Sequence, residues 1–273
     1  MQTREHAPRW PWLLGAVVVV GAGVWLFRPD ATSPGATAPA KPATAPSLST
    51  APAMPATPAQ PAIAHPIAPE AAADAVLPAL ADSDAAAWAT LAGVVGDEGA
   101  LATLLRDHLV QRLVVAVDNL PQRSITQRAL PYRPLQDPIA TTTGDAQVQW
   151  LDTAANGRRY APFVRAFVHV DAQALAEAYR RFYPLFQQAY VELGYPQGYF
   201  NDRLVAVIDH LLQAPVPTQP VAVVPGANGR LRFADPALES LSVGQKALLR
   251  LASEQAEAVK QQLRAFRAAI TGA

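Results

Sequence analysis

Polar residues set among turn- and helix-breaking residues are the part of this sequence that could do chemistry. Their carboxylates and guanidinium groups could bind a polar ligand or exchange a proton with it. The residues concerned are Asp118, Asn119, Arg159, Tyr160, Asp202, Arg203 and Asp235. Asp and Asn beside turns usually bond their own backbone, and arginine often pairs with such carboxylates. The sequence therefore favours structural roles for this set, with a ligand-binding site as the alternative.

The motifs that would define a particular reaction are not found. His108, His169 and His210 have no second histidine four residues away, and the chain has no cysteine. Neither a nucleophile-elbow motif nor a Gly-rich phosphate loop occurs. We therefore predict no metal site and no cofactor, and we assign no catalytic residue.

Aromatic residues are concentrated in one stretch of the chain. Eleven of the fifteen Phe and Tyr residues fall within residues 160–200, interleaved with arginines. Such a cluster could form a groove that stacks sugars or peptides. Helical spacing favours the other interpretation, in which the rings fill a core and the arginines extend outward.

Charge composition limits the partners. Lysine plus arginine and aspartate plus glutamate each number 22, so the formal net charge is zero. A nucleic-acid-binding domain normally carries a basic surface. We therefore expect no nucleic-acid partner.

The N-terminus carries a membrane signal. Residues 10–27 are eighteen uncharged residues between Arg9 and Arg28, about 27 Å long as a helix. The alternative is a cleaved signal peptide, but the first good small-x-small triplet begins at Ala36, nine residues after Phe27. We predict an uncleaved, single-pass transmembrane helix in a bacterial inner membrane. The slight excess of basic residues before it predicts a cytoplasmic segment 1–9 and a periplasmic C-terminal domain.

A Pro/Ala-rich segment follows the predicted helix. Residues 29–76 contain eleven prolines and seventeen alanines with few large apolar residues, so they cannot bury enough surface to order themselves. We predict a disordered tether over residues 28–76. Extended as polyproline II it would reach about 150 Å.

Residues 77–273 predict a single, mainly α-helical domain with minor β structure. Capping residues and apolar periodicity predict helices over residues 84–95, 97–117, 159–168, 171–193, 200–211, 242–251 and 256–270. A short strand is predicted at 147–150. A β-hairpin is predicted from 221–224 and 230–233, around Asn228-Gly229.

An ordered set of short motifs resembles a known bacterial family. The motifs are Asp118-Asn119-Leu120-Pro121, Tyr183-Pro184-Leu185, Leu193-Gly194-Tyr195-Pro196, Phe200-x-Asp202-Arg203-Leu204, Ala234-Asp235-Pro236 and Gln245-Lys246-x-Leu248-Leu249-Arg250. From about residue 77 to residue 270 the chain resembles the domain-of-unknown-function family numbered 3014. It departs from the family pattern at Gly157, where an aromatic residue is expected, and at residues 252–255. The resemblance implies an anchored envelope protein and brings no activity.

Three functional hypotheses follow. In the first, the bilayer holds residues 10–27 while the domain binds or scaffolds an envelope protein or a cell-wall polymer. In the second, an envelope enzyme uses loop carboxylates and arginines, which requires Asp118, Arg159 and Asp202 to converge in one open cleft. In the third, a homo-oligomer forms through the apolar stripe of the last helix, residues 256–270.

Overall fold

The computed structural model describes residues 62–67, 77–125, 131–133, 135, 139–144, 148–226 and 231–272. The predicted anchor at 10–27 and the tether up to residue 61 lie outside these ranges. Among the helices within them, none combines the length and the apolar character that a membrane span needs.

The mainly α-helical prediction is confirmed. Within the described residues the chain forms nine α-helices, preceded by a short 3-10 helix at Leu80–Asp82. They are α1 Asp84–Val95, α2 Glu98–Leu101, α3 Leu109–Asn119, α4 Thr153–Val168, α5 Ala172–Glu192, α6 Phe200–Leu212, α7 Pro236–Glu239, α8 Val243–Leu248 and α9 Ser253–Thr271.

The minor β structure is a four-stranded antiparallel sheet in the order β1-β2-β3-β4. The strands are β1 Thr141–Thr143, β2 Gln149–Leu151, β3 Ala222–Pro225 and β4 Leu231–Phe233. The predicted hairpin is confirmed by the pairing of Val223 with Phe233, although its turn at 228–229 lies outside the described residues. The predicted strand near 147–150 is β2. Strand β1 was not predicted, because three consecutive threonines show no alternation.

Local capping signals are confirmed at several helix ends. The Asp171 carboxylate accepts from the Ala174 amide at 2.8 Å. Ser242 and Gln245 form the predicted capping box of α8. Gly96 ends α1 in the left-handed conformation, at φ 62°. These signals act within four residues, so they can be predicted from the sequence.

The prediction of one continuous helix over residues 97–117 is wrong. The chain forms the short α2, then a loop, and then α3, which begins after His108 at φ 54°. The cap of α3 comes from a distant residue, because both Asp84 carboxylate oxygens accept its first amides, from His108 at 2.7 Å and Leu109 at 2.8 Å. The helix predicted at 159–168 also begins earlier, at Thr153, where Asp152 caps it.

Two apolar clusters form the interior. The larger cluster lies among α1, α3, α4, α5, α6 and α9. The smaller one lies beneath the sheet and contains Ile139, Leu151, Val221, Val223, Phe233 and Leu249.

The apolar stripe of α9 belongs to the larger cluster. Its residues Ala256, Val259, Leu263, Phe266 and Ile270 are all at most 8% exposed. The stripe therefore packs within its own chain, which removes the surface on which the homo-oligomer hypothesis relied.

Candidate functional site

An apolar cavity of about 150 Å³ lies among helices α1, α3, α5, α6 and α9. Its walls are almost entirely carbon, from residues such as Leu91, Leu113, Phe182, Ile208 and Leu263. A carbon-lined space between helices is typical of a site for a small apolar group.

Aromatic rings form one side of the cavity. Phe186 and Phe200 stack with their ring centroids 5.6 Å apart, and the Tyr179 ring lies 5.5 Å from Phe186. Phe266 meets Tyr179 edge-on at 6.1 Å. The aromatic cluster predicted from the sequence is therefore a packed interior wall rather than an exposed stacking groove.

Part of the cavity lining reaches the surface. Thr90, Val117, Ala178, Phe186 and Leu204 line the cavity and are only half-buried. They come from four neighbouring helices. The cavity is therefore partly open to solvent at these residues.

A buried polar pair links the cavity wall to the start of α6. The Tyr179 hydroxyl donates to Asn201 Oδ1 at 3.1 Å, and Asn201 is fully buried. Burial raises the pKa of Tyr179 well above its ordinary value, and the nearby Tyr183 and Asp202 raise it further. The hydroxyl therefore stays protonated and remains a donor.

Asn201 and Asp202 hold a piece of the predicted tether. The Asp202 carboxylate accepts from the amides of Ala64 at 3.0 Å and His65 at 2.7 Å. Asn201 Nδ2 donates to the His65 carbonyl at 2.8 Å. Residues 62–67 therefore lie against the domain, although their composition assigned them to the tether.

Asp118 and Arg203 form an ion pair next to the cavity lining. Arg203 Nε donates to Asp118 Oδ1 and Arg203 Nη2 to the Asp118 carbonyl, each at 2.8 Å. The Tyr195 hydroxyl donates to the other carboxylate oxygen at 3.1 Å. The Asp118 charge raises the pKa of Tyr195, which keeps that hydroxyl protonated. This cluster joins the end of α3 to the start of α6.

Replacing Asp118 with alanine is expected to lower the free energy of unfolding by about 2–3 kcal/mol, because Arg203 and Tyr195 would lose the carboxylate to which both donate, and its side chain is only 11% exposed. Chemical denaturation measures this. Asp209→Ala is the matched control, since Asp209 of α6 pairs with Arg267 of α9 and its side chain is 44% exposed, so this pair should be worth at most about 1 kcal/mol. Equal losses in both variants would contradict the structural role of the Asp118 cluster.

The other predicted site residues either lie apart from this cluster or form hydrogen bonds with backbone groups of their own helices. Asn119 Nδ2 donates to the Val115 carbonyl at 2.7 Å, and Asp235 caps α7 by accepting from Ala237. Arg159 lies with its guanidinium carbon 5.6 Å from the Tyr160 ring centroid. Tyr160 is 2% exposed, and burial raises its pKa.

The contacts of Asp118 and Asp202 do not form the open catalytic cleft that the enzyme hypothesis requires. Asp118 is engaged by Arg203 and Tyr195, and Asp202 is engaged by two peptide amides. Both carboxylates therefore already bind groups of the protein. Arg159 lies beside the ring of Tyr160.

The histidines contact their own helices and neighbouring caps. His169 Nδ1 lies 2.8 Å from the Arg165 carbonyl, and His210 Nε2 lies 2.9 Å from Ser242 Oγ. Burial lowers the pKa of His210. Within the described ranges, no group of three or more His, Asp or Glu residues is arranged to hold a metal ion.

The two departures from the expected family pattern contact each other. Gln255 Nε2 donates to the Gly157 carbonyl at 2.8 Å. A Cβ atom at position 157 would lie 3.2 Å from both Ala252 Cβ and Gln255 Oε1. An aromatic side chain at position 157 would therefore require different residues at the start of α9.

Sequence reasoning did not find Tyr179, Asn201 or residues 62–67 as parts of a site. Tyr179 belongs to the aromatic stretch 160–200, whose helical spacing predicts a packed core but gives no indication of a cavity. The available signal for the tether segment was Ile63 and Ile67, two branched apolar residues among alanines and prolines.

The fold and the site define a class of protein: an α-helical domain with a small antiparallel sheet, built around an apolar cavity. The chain belongs to the family described as "Protein of unknown function (DUF3014)", whose model matches residues 109–267, more than half of the chain. The matched range contains Asp118, Asn201, Asp202 and Arg203. No curated protein and no solved structure matches this chain.

Proposed function

We propose that this protein is a binding module that takes an apolar group into the cavity among α1, α3, α5, α6 and α9. The observation that carries the proposal is a cavity of about 150 Å³ with an almost wholly carbon lining, part of it half-buried. Ligand sites in helical proteins commonly lie between helices and are mostly apolar.

The chemistry of the walls selects the ligand. A cell-wall polysaccharide presents hydroxyl groups, and each would lose its hydrogen bonds to water in a carbon-lined cavity. An alkyl or aryl group loses nothing and gains burial. The ligand is therefore an apolar group of a lipid or of a small molecule, rather than a sugar.

The volume limits the size of the inserted group. An apolar cavity of about 150 Å³ accommodates a benzene-sized molecule. We therefore expect a group of about six carbon atoms to fill the cavity. A longer chain would have to extend past Thr90, Val117 and Leu204 toward the surface.

The proposed setting is the periplasmic side of a bacterial inner membrane. The support is the uncharged run at 10–27, flanked by Arg9 and Arg28 and followed by the Pro/Ala-rich segment. An anchored domain on a tether could collect apolar ligands released near the membrane. A C-terminal reporter that is active only in the periplasm tests the orientation, and activity of a cytoplasmic reporter would contradict it.

Binding is tested with residues 58–273, which include every described residue, and linear alcohols of four to ten carbons. We expect affinity to rise about fourfold for each added methylene, because each contributes about 0.8 kcal/mol. The increase should stop at about six carbons, when the cavity is full. Isothermal titration calorimetry measures the affinities.

A cavity-filling variant locates the site. Ala178→Leu places three more carbons in the lining and is expected to reduce binding of hexanol at least tenfold. Ala174→Leu lies one turn earlier on α5, outside the lining, and should bind as the unmodified protein does. The proposal would be overturned if none of the three proteins bound hexanol. It would also be overturned if the unmodified protein, Ala178→Leu and Ala174→Leu all bound hexanol with the same affinity.

A further inference from the structure

The tether segment at residues 62–67 is bound through its main chain. Asp202 accepts from two consecutive amides, those of Ala64 and His65, and Asn201 donates to the His65 carbonyl. All three hydrogen bonds use peptide groups, which every non-proline residue can offer. The backbone bends at Ala64 and His65, which turns both amides toward one carboxylate, so the pattern recognises a main-chain shape rather than a particular side chain.

Two residues beside these hydrogen bonds favour the docked path. Pro66 disfavours helical backbone angles at His65, which lowers the entropy lost on binding. Ile67 is half-buried and packs against the larger apolar cluster, whereas Ile63 is 44% exposed. The segment therefore combines main-chain bonding with one apolar anchor.

The receiving side is held in place by groups outside the tether. Asn201 is fully buried, and its Oδ1 accepts from the Tyr179 hydroxyl of α5. Asp202 lies in the first turn of α6, where a negative charge is stabilised by the helix dipole. Asn201 is therefore oriented by α5 rather than by the segment, which is a property of a preformed binding site.

We propose that Asn201 and Asp202 form a peptide clamp, a site for a polypeptide segment that bends at two consecutive residues, and that its resident occupant is residues 62–67 of the same chain. The clamp binds two consecutive peptide N–H groups and the following carbonyl, with a proline and an apolar residue next in sequence. It is distinct from the apolar cavity and does not depend on the ligand proposed for it.

Intramolecular binding favours this occupant over others. Only nine residues, 68–76, separate Ile67 from Leu77. A short connection gives an effective concentration in the millimolar range. Even a weak clamp is therefore filled by its own tether, and a competing peptide must be present at a comparable concentration to replace it.

Docking shortens the free tether. Residues 28–61 are 34 residues and reach about 105 Å as polyproline II, whereas residues 28–76 are 49 residues and reach about 150 Å. Opening the clamp would extend the domain's reach by about 45 Å. This consequence rests on the proposed membrane anchor, while the clamp itself does not.

Hydrogen–deuterium exchange of the full chain in lipid nanodiscs tests the clamp. We expect amides within residues 62–67 to exchange at least tenfold more slowly than in a free peptide of that sequence, and at least tenfold faster in Asp202→Ala than in the unmodified chain. Asp209→Ala removes a carboxylate from the same helix and should leave this protection unchanged. Free-peptide rates in the unmodified chain, or equal protection in Asp202→Ala, would overturn the proposal.

A second measurement identifies the occupant. In a full chain with Ala64→Pro and His65→Pro, which lacks both N–H groups that Asp202 accepts from, a labelled peptide of residues 58–70 should bind, and it should bind at least tenfold more weakly to the unmodified chain. No binding to the doubly substituted chain would overturn the peptide site. Protection of residues 62–67 that rises with protein concentration would show that a second copy supplies the segment, and would overturn the intramolecular assignment.

Discussion

Replacing Phe200 with alanine is expected to lower the free energy of unfolding by about 3–5 kcal/mol. Phe200 is 1% exposed at the start of α6, and its ring stacks on Phe186 and contacts Tyr179 and Tyr190. Removing it deletes a large buried surface and the aromatic contacts, and enlarges an interior that already contains a cavity. Urea denaturation followed by circular dichroism measures the loss.

A conservative variant separates burial from ring geometry at this position. Phe200→Leu retains most of the volume and should cost less than about 1.5 kcal/mol. Val191→Ala, at a 40% exposed position of α5, should change stability by no more than about 0.5 kcal/mol. A loss below about 1.5 kcal/mol for Phe200→Ala would show that the aromatic wall is not part of the stable core.

Replacing Glu239 with leucine is expected to cost about 3–5 kcal/mol, because it removes the carboxylate that faces a buried lysine. Lys246 Nζ donates to Glu239 Oε1 at 2.9 Å, and the Lys246 side chain is only 3% exposed. Glu239 Oε2 accepts from the Phe233 amide at 2.9 Å, so the same residue connects α7, α8 and β4. Thermal and chemical denaturation measure the change.

The double variant Glu239→Leu with Lys246→Met tests the origin of this loss. Replacing both charged partners by apolar residues removes the buried lysine charge together with the carboxylate that faces it, so we expect the double variant to recover all but about 1–2 kcal/mol. The remaining loss arises because the Phe233 amide would no longer donate to Glu239. A double variant less stable than Glu239→Leu would show that Lys246 is stabilised by groups other than Glu239.

Helices whose signals are local were predictable. Asp171 caps α5 three residues away, Gly96 ends α1, and Ser242 pairs with Gln245 within one turn. The apolar stripe of α9 was visible at helical spacing. The surface that this stripe covers could not be predicted, because periodicity shows that a helix face is buried but does not identify its partner.

The error at α3 has a specific physical cause. Apolar residues recur at helical spacing across residues 97–117, which predicts one helix. The chain instead turns at His108, because Asp84, 24 residues earlier, accepts the first amides of α3. A cap supplied from another helix leaves no signal in the local sequence.

For the candidate site, the sequence likewise identified some of the residues but not their partners. Asp118, Asp202 and Arg203 were identified because polar residues among helix breakers are usually bonded. Their partners could not be read from the sequence, because Asp118 pairs with Arg203 across 85 positions and Asp202 with His65 across 137. The cavity left no signal either, because it is a space between five helices rather than a property of any residue.

The sequence alone determined the uncharged run at 10–27, the proline-rich composition that follows it, the neutral charge and most of the helices. These depend on composition and on residues a few positions apart, where propensity, capping and periodicity act. Only the tertiary structure decided that residues 62–67 dock on α6, that the α9 stripe faces inward, and that five helices enclose an apolar cavity. Each of these depends on which distant surfaces pack together, and that is determined by the packing of the whole domain.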